Sequence, residues 1–149
     1  FGIEDETERQ ARQALDASRA DQMMGNFNGF LDEWKNKPMF QSTRTDKELN
    51  QISSIQKKQN PVWMANSLLG FGTGTMPCIK KELENLICPV QLIVGEQDLK
   101  FIRINQSMNK QIPDSSFSIV EGANHRVHFD QPEECSKIIK TFITNYHLL

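Results

Sequence analysis

The stretch Cys88-Pro89-Val90-Gln91-Leu92-Ile93-Val94-Gly95-Glu96-Gln97-Asp98 decides the fold. Its apolar run is short and is stopped by Gly95, as expected of a strand buried on both faces of a parallel sheet. Downstream, Phe101, Ile104, Met108 and Ile112 recur at helical steps of three and four, and Pro113-Asp114 then turns the chain into a second apolar run ending at Val120. The spacing predicts strands near 90–94 and 116–120 joined by a helix. A crossover of that length makes the strands parallel and the connection right-handed. Asp130-Gln131-Pro132-Glu133-Glu134 predicts one more helix start, with Asp130 as its capping acid, and the stripe Cys135, Ile138, Ile139, Phe142, Ile143 is placed to pack on the sheet. Two parallel strands cannot cover their own faces and edges, so the sheet is expected to continue elsewhere.

Upstream of about residue 75 the texture is helical. Residues 5–24 carry acids at the start (Glu4, Asp5, Glu6, Glu8) and few helix breakers. A second helix is expected over about 26–36, where Phe27, Phe30, Leu31 and Trp34 form one apolar stripe ended by Pro38. Asp46 is a candidate cap for a third through Lys58, and Pro61 suits the first turn of a fourth reaching about Leu69. Four helices in a row predict a lid (1–75) ahead of an α/β part (76–149). Gly70-Phe71-Gly72-Thr73-Gly74 then breaks the pattern. It follows a helix rather than a strand and lacks a Gly-Lys-Ser/Thr, so a flexible hinge is expected in preference to a phosphate loop.

Composition narrows the function classes. The 149 residues are 38% hydrophobic and 24% charged, enough for a core, and the formal charge of -2 gives no global attraction for nucleic acid or anionic lipid. The apolar runs are far shorter than the ~20 residues of a membrane span, and nothing at the start reads as a signal peptide, so a cytoplasmic location is expected. Three cysteines, Cys78, Cys88 and Cys135, have no Cys-x-x-Cys spacing, which predicts free buried thiols. The first residue is Phe1 rather than Met, which suggests a fragment or processed piece.

Chemistry is expected where the strands end. In open parallel sheets reactive groups collect outside the carboxyl ends of the strands, and Asp98 and His125 both fall in loops leaving those ends. Neighbouring strands lie ~4.8 Å apart, close enough for the carboxylate to reach the imidazole, fix its tautomer and leave the other ring nitrogen as a general base. Singly, Asp98 also suits a helix cap and His125 a polar loop. Together, in the order acid then histidine, they favour catalysis. No Gly-x-Ser-x-Gly occurs in the sequence, so the nucleophile is not visible. His128 reads as structural and His147 as an inert tail residue.

The segment 88–98, with Ile112-Pro113-Asp114 and Gly122-Ala123-Asn124-His125, resembles the C-terminal half of an α/β-hydrolase fold. More narrowly, Glu8-Arg9-Gln10-Ala11-Arg12, Trp34 through Pro38-Met39-Phe40, Gly72-Thr73-Gly74 with Met76-Pro77, and Asp98-Leu99-Lys100-Phe101 resemble the 2-succinyl-6-hydroxy-2,4-cyclohexadiene-1-carboxylate synthases of menaquinone biosynthesis. The likeness runs through the whole chain but covers only the second half of a family member. It implies a lyase that removes a proton from a polycarboxylate carrying an enolpyruvyl ether and expels pyruvate, through a Ser-His-Asp triad with no metal or cofactor.

By motif, the likeness assigns Asp98 as the orienting acid and His125 as the histidine, and it implies substrate contacts from Arg12, Trp34, Phe40 and Phe101. The serine, the oxyanion-hole amides and their half of the fold would come from outside these residues. A guanidinium grips carboxylates with paired hydrogen bonds, which suits Arg12; an exposed helix arginine is also commonly just solvated, and Trp34 also suits a core. Where the family places a second arginine, Gln56 stands here beside Lys57 and Lys58. A hydrolase acting on an ester or carbon-carbon bond, or a non-catalytic interaction module, are the other readings. The isolated chain is expected to be inactive and prone to self-association, with no nucleic-acid or membrane partner.

Overall fold

The computed structural model describes residues 2–40 and 45–146. These form two compact units, one from residues 2–37 and 45–81, the other from residues 38–40 and 82–146.

The first unit is helical. Helix α1 (Glu6–Gly25) starts at Asp5, whose side chain accepts from the Glu8 N–H at 2.8 Å, and α2 (Phe27–Lys35) starts at Asn26, which accepts from the Gly29 N–H. Helix α3 (Asp46–Gln56) is capped by Thr45 rather than Asp46: the Thr45 hydroxyl accepts from the Glu48 N–H while the Glu48 carboxylate accepts from the Thr45 N–H. The reciprocal pair satisfies two end groups where Asp46 would satisfy one. Helix α4 (Pro61–Phe71) begins with Asn60 as cap and Pro61 in its first turn. Helices α1, α2 and α4 share a core of Ala20, Met23, Phe30, Leu31 and Ala65.

Two glycines of the run, Gly72 and Gly74, are packed within this unit. A methyl on Gly72 would lie 2.7 Å from the Asp16 carboxylate, and one on Gly74 would press on the α1 backbone at Arg9 and Gln13. The Ile3 N–H donates to the Thr73 carbonyl, and the Gln13 side-chain amide donates to the Gly74 carbonyl at 2.8 Å. Close approach to a helix requires small residues as much as mobility does, so the pattern alone could not separate the two.

The second unit holds β1 (Val90–Gly95), α5 (Leu99–Asn109), β2 (Ser115–Val120), the short α6 (Val127–Asp130) and α7 (Pro132–Asn145). The strands pair in parallel, with Val90 opposite Ser115 and Gly95 opposite Val120. Val120, Ala123, Val127 and Cys135 form the core cluster, with Ile93 and Ile138 against it. Two details correct the expected pattern. Asp130 does not cap α7, which starts at Gln131 without a side-chain cap, and Ile139 is exposed rather than packed. Only Cys135 of the cysteines is buried; Cys78 and Cys88 are exposed, and all three are free. Phe1 and His147 lie outside the described residues. Among the described residues no helix is long and apolar enough to cross a membrane.

Two measurements check this arrangement. Ile119 on β2 is 48% exposed and the sheet has two strands among the described residues, so its edges remain available for pairing. The 149-residue chain alone should sediment as a self-associating species, and a stable, monodisperse monomer would contradict this. At the end of α7 the Tyr146 hydroxyl donates to Asp114 Oδ1 at 2.6 Å, a bond that holds the phenol's pKa above its ordinary value. Because the folded pKa is the higher one, this contribution is complete below the unfolded phenol's pKa and is lost as pH rises through the folded value. Tyr146→Phe should therefore weaken the alkaline fall in thermal stability; an identical alkaline limb in the variant would show that the bond contributes nothing.

Candidate active site

Gly95 ends β1, and the loop after it lies so close to the loop after β2 that no side chain fits between them. A methyl on Gly95 would sit 2.6 Å from the Ala123 carbonyl carbon and inside contact of the Ala123 and Asn124 carbonyl oxygens. Hydrogen bonds join the two loops. The Gln97 N–H donates to the Ala123 carbonyl at 3.0 Å, the Glu96 N–H to the Val120 carbonyl at 3.0 Å, and the Gly122 N–H to the Glu96 carboxylate at 3.0 Å. Gly122 has φ +68°, a conformation that suits glycine.

This joined pair of loops presents Asp98 and His125 to each other. Asp98 Oδ2 lies 2.6 Å from His125 Nδ1, with the Asp98 side chain 8% exposed and the His125 side chain 29% exposed. An ionised carboxylate only accepts, so a contact this short places a proton on Nδ1 and leaves Nε2 as the site where a proton can be taken or given. The other oxygen, Oδ1, accepts from the Phe101 N–H at 3.3 Å and caps α5. Capping and pairing are therefore not alternatives. The same carboxylate does both.

Apolar rings bracket the imidazole. Phe101 lies 4.7 Å from it, centroid to centroid, and Phe40, in the 3₁₀ turn Pro38–Phe40, meets it edge-on at 6.0 Å. Asn124, almost fully buried, fixes the approach: its amide donates to the Pro38 carbonyl at 3.2 Å, and its side-chain oxygen accepts from the His125 N–H at 2.9 Å. The Asn124 N–H in turn donates to Asp130 Oδ2 at 3.0 Å, which is where the carboxylate expected to cap α7 is used.

The structure thus brings together Asp98, His125, Phe40 and Phe101. Arg12 and Trp34 belong to the helical unit. Arg12 Nε donates to Asp16 Oδ2 at 2.7 Å, and Arg19 shares the same acid at 3.3 Å, so Asp16, 3% exposed, is paired on both sides. Trp34 stacks on Phe30 at 5.5 Å with the Arg19 guanidinium 5.2 Å from its ring centre. His128 is exposed on α6 against Phe129. Sequence reasoning missed Glu96, Asn124, Asp130 and Asp16. Only Asp16 left a signal, since Arg12, Asp16 and Arg19 stand at the helical spacing of an ion-pair ladder. Among the described residues no His, Cys, Asp and Glu side chains cluster as a metal site would need.

An acid and a histidine paired across the carboxyl ends of two adjacent parallel strands, with helices flanking the sheet and a helical segment earlier in the chain, define the C-terminal half of an α/β-hydrolase fold. Within that class, the chain is 37% identical over 147 residues to a protein of Bacillus subtilis (strain 168) provisionally named 2-succinyl-6-hydroxy-2,4-cyclohexadiene-1-carboxylate synthase; the alignment spans 97% of this chain and 54% of that protein. It is similar to the solved structure of MenH from S. aureus at a TM-score of 0.93 and 28% identity, across 97% of this chain and 55% of the other. An esterase of Exiguobacterium antarcticum matches at a TM-score of 0.71 and 12% identity, over 89% and 48% of the two chains, and shows the fold alone. No family model matches. The chain spans about half the length of the relatives it resembles.

The crowding at Gly95 is directly testable. Gly95→Ala should cost about 1–3 kcal/mol, because backbone rather than a flexible side chain must move to admit the methyl. Urea unfolding measures it, and a variant as stable as the parent would show that the two loops are not held at this spacing.

Proposed function

We propose that this chain supplies the acid and base of a carbon-oxygen lyase that eliminates pyruvate from 2-succinyl-5-enolpyruvyl-6-hydroxy-3-cyclohexene-1-carboxylate, with the triad's serine contributed from outside these residues. The observation that carries the proposal is the 2.6 Å pairing of His125 Nδ1 with Asp98 Oδ2 at the ends of neighbouring parallel strands. The similarity to the B. subtilis protein and to MenH supports the lyase over an esterase, since the esterase likeness extends to the fold only.

In this reading Asp98 keeps the proton on Nδ1 and stabilises the imidazolium, and Nε2 works with the serine to draw a proton from a ring carbon of the substrate. The electron pair of that C–H bond becomes a ring double bond. The C–O bond to the enolpyruvyl group breaks, and the released enolpyruvate takes up a proton at carbon to become pyruvate. No oxidant or reductant is needed. Phe40 and Phe101 give the imidazole an apolar surround, in which its charge is felt more strongly by the substrate. Arg12 serves a substrate carboxylate: Asp16 holds its Nε, and its terminal nitrogens meet no partner among the described residues. Trp34 contacts substrate from the same helical segment.

The test uses the complete protein, with its nucleophile-bearing part. His125→Ala and Asp98→Asn should each lower pyruvate release by roughly 10³- to 10⁴-fold. Full activity in His125→Ala would overturn the mechanism, and turnover of aryl esters with no pyruvate from the enolpyruvyl substrate would replace the lyase with a hydrolase. The 149-residue chain by itself should release none.

A further inference from the structure

Arg126 follows the histidine directly, and its guanidinium carbon lies 4.1 Å from the centre of the Phe40 ring, the same ring that meets His125 edge-on. The side chain is half-buried, yet among the described residues it makes no hydrogen bond and no ion pair. Burial pushes its pKa down from the ordinary value, with the charge of Asp130 acting in the opposite direction, and an arginine lowered in this way is still charged at neutral pH. Stacking on Phe40 uses the face of the guanidinium and leaves its edge, which carries the N–H donors, without acceptors. A half-buried cation with idle donors is costly unless something fills them.

Its neighbours among the described residues do not fill them. Asp130 is engaged by the Asn124 N–H, Asp98 by His125 and by the Phe101 N–H, and Glu96 by the Gly122 N–H. The guanidinium is also held in place at both ends of its contact. Arg126 leads into α6, and the Phe40 turn is tied by the Asn124 amide to the Pro38 carbonyl. The cation is thus held on the ring that also meets the base, by residues of one compact unit.

We infer that Arg126 is a specificity-determining residue that receives a carboxylate of the substrate beside His125, its guanidinium stacked on Phe40 and its edge making paired hydrogen bonds to the anion. This rests on the reading of the substrate as a polycarboxylate. It assigns to the histidine loop a binding role separate from proton transfer: the arginine holds the anion near Nε2 and takes no proton itself.

The experiment is steady-state pyruvate release by the complete protein carrying Arg126→Met or Arg126→Lys, alongside thermal melting of each. Arg126→Met should raise KM for the enolpyruvyl substrate about 10- to 100-fold while kcat changes less than about 3-fold, because a charged hydrogen-bonded pair is lost without loss of the base. Arg126→Lys, which keeps the charge but not the planar fork, should fall between the two. An unchanged KM in both variants overturns the inference. So does a drop in melting temperature with KM preserved, which would make Arg126 a structural partner of another protein carboxylate. If Arg126→Met does not fold, Arg126→Lys decides alone, with a KM equal to the parent's as the refuting result. Should the parent itself release no pyruvate, the proposed lyase fails first, and that outcome is distinct from a parent that works with an indifferent Arg126.

Discussion

Everything at the site depends on how closely two strand-end loops can approach. Parallel pairing sets β1 and β2 side by side, but it does not bring a residue three positions past one strand against a residue five positions past the other. That is done by the Gln97 N–H bond to the Ala123 carbonyl and the Glu96 carboxylate on the Gly122 N–H, across a gap that only Gly95 leaves open. With the loops fixed, Asp98 has few places to put its carboxylate. One oxygen satisfies the start of α5 and the other meets Nδ1, so helix capping and histidine orientation constrain one another. A rigid carboxylate costs less ordering when the imidazole changes charge.

The loop beyond the histidine extends the same logic. Asn124 spends its backbone N–H on Asp130, its side-chain oxygen on the His125 N–H and its amide on Pro38, so one buried residue positions the histidine and the turn that carries Phe40. This is the reason that a short turn distant in sequence groups with the sheet rather than with the helices on either side of it. The ring it delivers then contacts both His125 and Arg126.

How much of this was legible follows the range of each interaction. The strands, the crossover helix and the acid-histidine order were readable because apolar periodicity and chain order are local properties. Caps were half readable: Pro61 sits in the first turn where helix-start chemistry puts it, but Thr45 displaced Asp46 through a reciprocal bond with Glu48 that a single-residue preference does not reveal. Asp130 looked like a cap because its spacing from Pro132 is right, and it was diverted to Asn124 by tertiary contact. The glycines at 72 and 74 matched a hinge as well as a close helix contact, and only the position of α1 distinguishes them; a Cβ at Gly70 would meet nothing. Arg126 gave no sequence signal at all, since its meaning depends on Phe40, a ring 86 positions earlier that no periodicity connects to it.

The central claim is that Asp98 fixes the protonation state of His125. Nitrogen-15 correlated NMR of the imidazole in the complete protein at neutral pH reads this without reference to any substrate. The account predicts a proton on Nδ1, a bare Nε2 and a far-downfield Nδ1 proton resonance that disappears in Asp98→Ala. A proton on Nε2, or a spectrum that Asp98→Ala leaves unchanged, would contradict it.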